Sequence, residues 1–432
     1  MLGAFARAFR TPDLRKKLLF TLGIIVVFRI GSVLPGPGVS TSAIQSCLNL
    51  SSVQNNNVYS LVNLFSGGAL LQLAVFALGI MPYITSSIII QLLVVVIPRL
   101  ERLKKEGSPG EAKLTQYTRY LTIGLAVLQS TGIVALGRGM PSRLFPTCNR
   151  AIIPDQSLFR TVTLVITLTA GTSVIMWLGE LITSKGVGNG MSLLIFTSIA
   201  AQLPSQGGRI LQAAGGTVFT LVILLGLAIV VFVVYVEQSQ RRIPVQYAKR
   251  MIGRRMYGGT STYIPLKVNQ AGVIPVIFAS SLLQLPQLLA QVWQNATFQS
   301  FEQRFLSRGD HPLYLLLYAG LIIFFTYFYV AITFNPVEVS DNMKKYGGFI
   351  PGIRPGRPTA EYLDRVLSRI TLPGSVFLGL ITVLPLLLLG LTNNQPFPFA
   401  GTSVLIMVGV GLETVKQIES QLQQRNYEGF LR

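Results

Sequence analysis

Runs of apolar residues long enough to cross about 30 Å of hydrocarbon, roughly 20 residues each, recur along the chain. They lie near 18–36, 73–97, 118–137, 157–181, 191–206, 217–236, 271–290, 313–334, 372–391 and 400–417. They predict an all-α, polytopic membrane protein with ten transmembrane helices, the run at 191–206 being the weakest. One stretch, Asn63 to Leu92, departs from the simple alternation of span and loop. Its first part, with Ser66-Gly67-Gly68, is too polar and Gly-rich to span, and it runs without a polar loop into an apolar helix that Gly79 and Pro82 are expected to break. Irregular backbone at membrane depth persists only where protein or a water-filled cavity covers it. The same pattern returns 193 residues later: Gly79, Pro82, Ile84, Ser87, Gln91 and Leu92 are matched by Gly272, Pro275, Ile277, Ser280, Gln284 and Leu285. Six matches in a 14-residue frame indicate an internal duplication.

The ten spans divide at the loop 203–216, LPSQGGRILQAAGG, whose composition is that of a flexible connector. Five spans precede it, within 1–206, and five follow it, within 207–432. Because five is odd, the second half enters the membrane from the opposite face, so a duplicated half is inverted relative to its partner. In inverted repeats the working site lies near the midplane, between the halves. The two Gly-x-x-Pro-x-Ile copies then face each other on spans two and seven.

Composition agrees with a membrane protein: half the residues are hydrophobic and 12% are charged, with a mean hydropathy of +0.54. The net charge of +20 invites a nucleic-acid reading, but its distribution decides otherwise. With the amino terminus inside, 28 of the 36 Lys and Arg fall on that side and seven on the other, Arg29 lying within the first span. The positive-inside rule then places both termini in the cytoplasm, against the lone trend of Arg138, Arg143 and Arg150 in an external loop. The amino terminus is basic, yet no small-residue cleavage site follows the first apolar run, so that span is expected to be retained. Cys47 and Cys148 both fall in external loops, where they either pair or remain free thiols.

Small residues on the duplicated helices, Ser86, Ser87, Ser280 and Ser281, either permit close helix packing or belong to a site. Gln91 and Gln284 must find a partner or water, which a polar seam between the two helices would supply. Two long cytoplasmic loops, about 237–270 and 335–371, hold 13 basic residues. Tyr247, Tyr257 and Tyr263 interleave the charges of the first, a mixture suited either to phosphate backbones and stacked bases or to anionic lipid. In the second, the Pro- and Gly-dense run 348–356 presents Arg354 on a stiff turn.

Catalytic equipment is missing. No Gly-x-x-x-x-Gly-Lys-Ser/Thr phosphate loop occurs, and the single histidine, His311, excludes a His-based metal cluster and a triad. Gradient-driven transporters keep ionisable groups near the midplane. Glu180 and Glu237 lie instead at span ends, Glu413 lies late in span ten, and Arg29 either finds an ion-pair or packing partner or snorkels. A secondary transporter with inverted repeats stands as the alternative reading, without its usual carboxylates.

The residues now carry a resemblance. Asn63 to Leu70, Ala77 to Ile84, Gly186-Val187-Gly188-Asn189-Gly190, Leu266 to Asn269 with Ala271 to Pro275, and Pro351 to Gly356 resemble, in order and over nearly the whole chain, the SecY family of channel subunits of the bacterial preprotein translocase. The resemblance implies a clamshell of two inverted five-helix halves around a central pore that conducts unfolded preproteins and opens sideways to lipid. It implies a plug at about 58–72, including Phe65, Ser66, Gly67 and Gly68. It implies a pore ring of Ile80, Ile84, Met191, Ile195, Ile277 and Ile406, with Met where the family commonly has Ile. A lateral gate would include Ser86, Ser87, Gln91, Ser280, Ser281 and Gln284. Lys249, Arg250, Arg254, Arg255, Arg354 and Arg357 would receive SecA or the ribosome. SecE and SecG would complete the complex, signal peptides and nascent chains would be its cargo, membrane lipids would receive released segments, and no cofactor is implied.

Overall fold

A computed structural model describes residues 9, 11–44, 66–139, 152–154, 157–247, 250–252, 255–257, 261–292, 296–306, 311–391 and 401–430. The chain is mostly helical. The principal helices are α1 (Pro12–Val33), α2 (Met81–Val96), α3 (Pro98–Lys105), α4 (Ser108–Gly139), α5 (Leu158–Lys185) and α6 (Gly190–Gln238). They continue with α7 (Ile274–Val292), α8 (Ala296–Phe301), α9 (Pro312–Thr333), α10 (Pro336–Lys345), α11 (Arg357–Leu391) and α12 (Gly401–Phe430). Helix lies over all ten apolar runs. Among the described residues, Leu158–Lys185, Gly215–Gln238, Pro312–Lys345 and Arg357–Leu384 are each long and apolar enough to cross a membrane. Met81–Val96 joins them if taken with Pro98–Lys105, from which it is bent by 101°.

Two sequence expectations change. The connector at 203–216 is not an open loop: α6 remains helical through Pro204 and is interrupted at Gly215, whose φ is 79°. Nor do Gly79 and Pro82 break a helix. They begin one. Gly79 has a φ of 57°, Ile80 caps α2, and Pro occupies its first turn, where its missing N–H costs nothing and its fixed φ suits the helix. The second copy is built alike, with Gly272 at a φ of 61° two residues before α7 starts. The duplicated Gly-x-x-Pro is thus a left-handed residue followed by a proline-primed helix start, which only Gly enters cheaply.

Two large apolar clusters organise the helices. The first joins Val233, Val276, Phe278, Leu283, Tyr318, Ile322, Leu378 and Leu405 with Ile88 of α2. The second joins Ile24, Phe28, Phe76, Ile175, Ile182, Leu194 and Ile199 with Ile406 and Val410 of α12. Each therefore draws mainly on one side of residue 207, with α2 and α12 reaching across.

The loops 237–270 and 335–371 are not separate connectors either. Strands β1 (Gln240–Tyr247) and β4 (Ser261–Lys267) pair antiparallel from Gln240 opposite Lys267 to Gln246 opposite Ser261. Between them β2 (Arg250–Ile252) and β3 (Arg255–Tyr257) form a second hairpin. Strand β5 (Gly348–Phe349), from the other loop, adds to the free edge of β1. Alternation explains the seating: Ile243 and Val245 of β1 are buried against Val330, Met343, Ile350, Leu363 and Leu367, while their neighbours face outward. Arg242 lies over the ring of Tyr263 at 4.8 Å.

A Cβ on Gly272 would meet nothing within 4 Å, so Gly272→Ala isolates the backbone cost. The expected loss is about 1 kcal/mol, read as a lower midpoint of thermal unfolding in detergent. An unchanged midpoint would show that the left-handed entry to α7 is not required.

Candidate functional site

Four helices bring the six residues of the expected constriction into one apolar cluster. Ile80 caps α2 and Ile84 follows one turn later; Met191 and Ile195 open α6; Ile277 lies in the first turn of α7; Ile406 comes from α12. All six fall in the second apolar cluster. Ile80, Ile195 and Ile406 are 2%, 5% and 1% exposed. Ile84, Met191 and Ile277, partly buried, face a cavity of about 750 Å³ together with Ile195. Chain order separates these residues widely, from 80 to 406, so tertiary packing alone brings them together.

The cavity has a second, polar wall, provided by Thr115, Arg119, Glu180, Thr183, Asn189 and Ser192. Arg119 of α4 grips Glu180 of α5 with two hydrogen bonds, Nε to Oε1 at 2.9 Å and Nη2 to Oε2 at 2.7 Å. Its Nη1 also donates to Gln116 at 3.0 Å. The planar fork matches the carboxylate geometry. At the floor, the Gly186–Gly190 motif turns the chain from α5 into α6. Asn189 caps α6 by accepting from the backbone N–H of Met191 and Ser192 at 3.1 and 3.4 Å. The Gly190 N–H donates to Thr183 Oγ1 at 2.9 Å, and the Val187 N–H donates to Thr21 Oγ1 of α1 at 3.2 Å. The motif therefore aims Met191 and Ile195 at the constriction.

The two duplicated helices meet through apolar side chains. Ile88 and Leu92 of α2 pack with Phe278, Ala279 and Leu283 of α7. The hydroxyls of Ser86 and Ser280 donate to carbonyls of their own helices, Pro82 O at 2.7 Å and Ile277 O at 2.8 Å. Gln91 donates to Ser87 of its own helix at 3.3 Å, and both residues line the cavity. Ser86, Ser87, Gln91 and Ser280 thus bond along their own helices. Among the described residues the buried Ser281 Oγ has no hydrogen-bond partner. The side chain of Gln284 lies outside the described residues.

Of the segment expected at 58–72, residues 58–65, Phe65 among them, lie outside the described residues. Residues 66–80 form successive turns rather than helix. Ser66 is fully buried, its Oγ accepting from the Leu70 N–H at 3.1 Å. Gly67 and Gly68 have φ of 68° and 92°, and the Gly67 carbonyl accepts from Arg29 Nη1 at 2.9 Å. Arg29 therefore has a partner inside the protein.

Among the basic positions, Arg354 is exposed at a turn stapled by Thr359 Oγ1 donating to Arg354 O at 2.8 Å and Ser340 Oγ donating to Gly356 O at 2.7 Å. Arg357 is 91% exposed and meets Glu361 at 3.0 Å. Arg250 and Arg255 lie on the β2–β3 hairpin, of which the backbone is described. Lys249 and Arg254 lie outside the described residues, as do Cys47 and Cys148. His311 caps α9, its Nδ1 accepting from the Leu313 N–H at 3.2 Å.

Sequence reasoning missed the Arg119–Glu180 pair, although opposite charges at neighbouring ends of spans three and four were a usable signal. It also missed the link in which Asn269 Nδ2 donates to Glu237 Oε1 at 2.6 Å and to Gly272 O at 3.1 Å, joining the end of α6 to the entry of α7.

Arg119 and Glu180 side chains are 40% and 25% exposed, so solvent weakens the pair without removing it. A double-mutant cycle of Arg119→Gln and Glu180→Gln is expected to give a coupling of about 1 kcal/mol in thermal unfolding. A coupling of zero would show that the pair does not fasten α4 to α5.

Residues 74–415 match the family model for SecY. The chain is 66% identical to the protein translocase subunit SecY of Streptomyces galbus, over 100% of both chains. Two solved structures share the fold. One is reported to show that the plug domain of the SecY protein stabilises the closed state of the translocation channel and maintains a membrane seal; it has a TM-score of 0.60 and 19% identity, and the match covers 94% of this chain and 91% of that one. The other is Sec61 in the canine ribosome–channel complex, with a TM-score of 0.58, 17% identity and the same coverage. With residues 74–415 matching the SecY family model and 66% identity to a translocase subunit over the whole length of both chains, the chain belongs to the SecY family.

Proposed function

We propose that this chain is the protein-conducting channel of a bacterial Sec translocase. It moves unfolded preproteins across the cytoplasmic membrane and releases apolar segments sideways into lipid. The observation that carries the reading is the constriction: six aliphatic side chains from α2, α6, α7 and α12 meet in one cluster beside a 750 Å³ cavity. An aliphatic ring resists wetting and so blocks ions. It also makes no sequence-specific contacts, so it can close around any extended chain. Parting α2 from α7 separates the apolar contacts of Ile88 and Leu92 with Phe278, Ala279 and Leu283 and opens a path along which a hydrophobic segment can partition into lipid.

The chain holds no nucleotide-binding loop, so the driving force comes from outside it, from SecA or the translating ribosome. The β1–β4 sheet and the turn bearing Arg354 and Arg357 form a basic docking surface suited to the phosphates of ribosomal RNA or to acidic protein. SecE and SecG complete the membrane complex, signal peptides and nascent chains enter the cavity, and membrane lipids surround the apolar faces. Both termini lie in the cytoplasm. Solute transport is the weaker reading: the cavity's charges, Arg119 and Glu180, are spent on each other.

With a photo-crosslinker at Ile84 or Ile277 and a stalled secretory precursor delivered by SecA or a ribosome, an adduct with the precursor is expected. A folded complex that yields none would overturn the channel reading. Arg354→Glu is expected to reduce SecA-dependent translocation by about tenfold, the scale of one lost charged contact, while the protein still inserts. Normal translocation would remove Arg354 from the docking surface.

A further inference from the structure

The charge inside the first span has found an unusual partner. Among the described residues no carboxylate lies within salt-bridge distance of Arg29 of α1. Its guanidinium instead donates to a backbone carbonyl, Gly67 O, 38 positions along the chain. That carbonyl belongs to the irregular segment lying against the constriction.

The approach is built in from both sides. Gly67 holds a φ of 68°, and a Cβ there would come within 3.2 Å of Arg29 Nη1 and 3.4 Å of the Ser198 Cα on α6. A side chain at position 67 would therefore push against both the guanidinium and α6. Immediately before Arg29, Phe28 is 1% exposed and stacks on Phe76 with centroids 6.0 Å apart. Helix α1 thus holds the segment at two points, one apolar and one polar. The apolar contact tolerates sliding, because dispersion and burial have no direction. The hydrogen bond does not, because it weakens steeply with misalignment.

We propose that Arg29 is a positioning residue for channel gating, which latches the segment around Gly67 over the constriction through the Gly67 carbonyl, and that opening breaks this bond. The inference rests on the channel reading given above. Two consequences follow from the chemistry. A backbone acceptor makes the latch independent of the segment's side chains. Breaking it leaves a cation facing a pore that fills with water on opening, so the guanidinium is resolvated rather than stranded.

The test uses the full channel complex in proteoliposomes, carrying wild type, Arg29→Gln or Arg29→Lys. Resting ion leak is measured first, without precursor. A lost charge-assisted hydrogen bond shifts an equilibrium by about tenfold or more, so Arg29→Gln is expected to raise leak per channel by about that factor and to admit precursors with weakened signal peptides. Arg29→Lys, which keeps a charged donor, is expected to restore most of the seal. In parallel, Ser66→Cys, at a fully buried position, is labelled with a water-soluble maleimide in each background. Labelling is expected to accelerate by a similar factor with Arg29→Gln. The labelling arm on Arg29→Lys serves if the Gln variant fails to fold, and labelling as fast as in the detergent-denatured complex would overturn the claim that a charged donor suffices. If wild type translocates a normal precursor and Arg29→Gln neither leaks nor labels faster, the latch is refuted. If wild type itself does not translocate, the channel reading fails instead.

Discussion

Everything in this structure depends on how residues 66–80, which are neither helix nor strand, survive at membrane depth. Hydrocarbon offers no hydrogen bonds, so each peptide group must be satisfied by protein or by cavity water. Here the donors and acceptors come from several sources. Leu73 O accepts from the Gly36 N–H and Leu34 O from the Val75 N–H, both at 2.9 Å, so the strand-like end of α1 zips along the segment. Within the segment, the N–H groups of Ala74, Ala77 and Gly79 close short turns. Arg29 supplies the donor for Gly67. Helices α1, α5 and α6 surround the result, which leaves Ala69, Leu70, Leu73 and Ala74 almost wholly buried. A segment held by turns and a few tertiary bonds has a smaller hydrogen-bonded unit to break than a helix.

The constriction answers an opposite demand. A seal against ions needs a dry, close-packed ring, whereas passage of arbitrary sequence needs a surface without preferences. Aliphatic side chains meet both, since their contact energy is non-directional and their rotamers can part as a group. The polar wall beside them has its own constraint. Among the described residues that line the cavity, the charged ones, Arg119 and Glu180, are paired with each other, which links α4 to α5.

The sheet on the basic face adds a mechanical connection. Strand β4 ends at Lys267, Asn269 follows, and its amide spans from Glu237 at the end of α6 to Gly272 at the start of α7. Glu237 and Asn269 are both buried. The β1–β4 sheet is therefore linked to the entry of α7 by hydrogen bonds as well as by the chain itself.

Hydropathy and spacing by themselves determined a mostly helical chain with several apolar spans and the duplicated helix starts, because burial in hydrocarbon imposes length and composition on each span locally. The six aliphatic positions were legible through the resemblance to the SecY family, but not their meeting, which requires residues from 80 to 406 to converge. Local signals also misled. Gly79 and Pro82 read as a break when they form a start, since the same residues serve both ends of a helix and only the incoming backbone distinguishes them. The loops 237–270 and 335–371 read as more than simple connectors, but their shared sheet was not legible, because strand pairing between distant segments leaves no periodic trace in either. Arg29 was visible from the outset as a charge in the wrong solvent. Its partner was not, because a backbone carbonyl has no sequence signature: any residue could have supplied it, and only the fold placed Gly67 within reach.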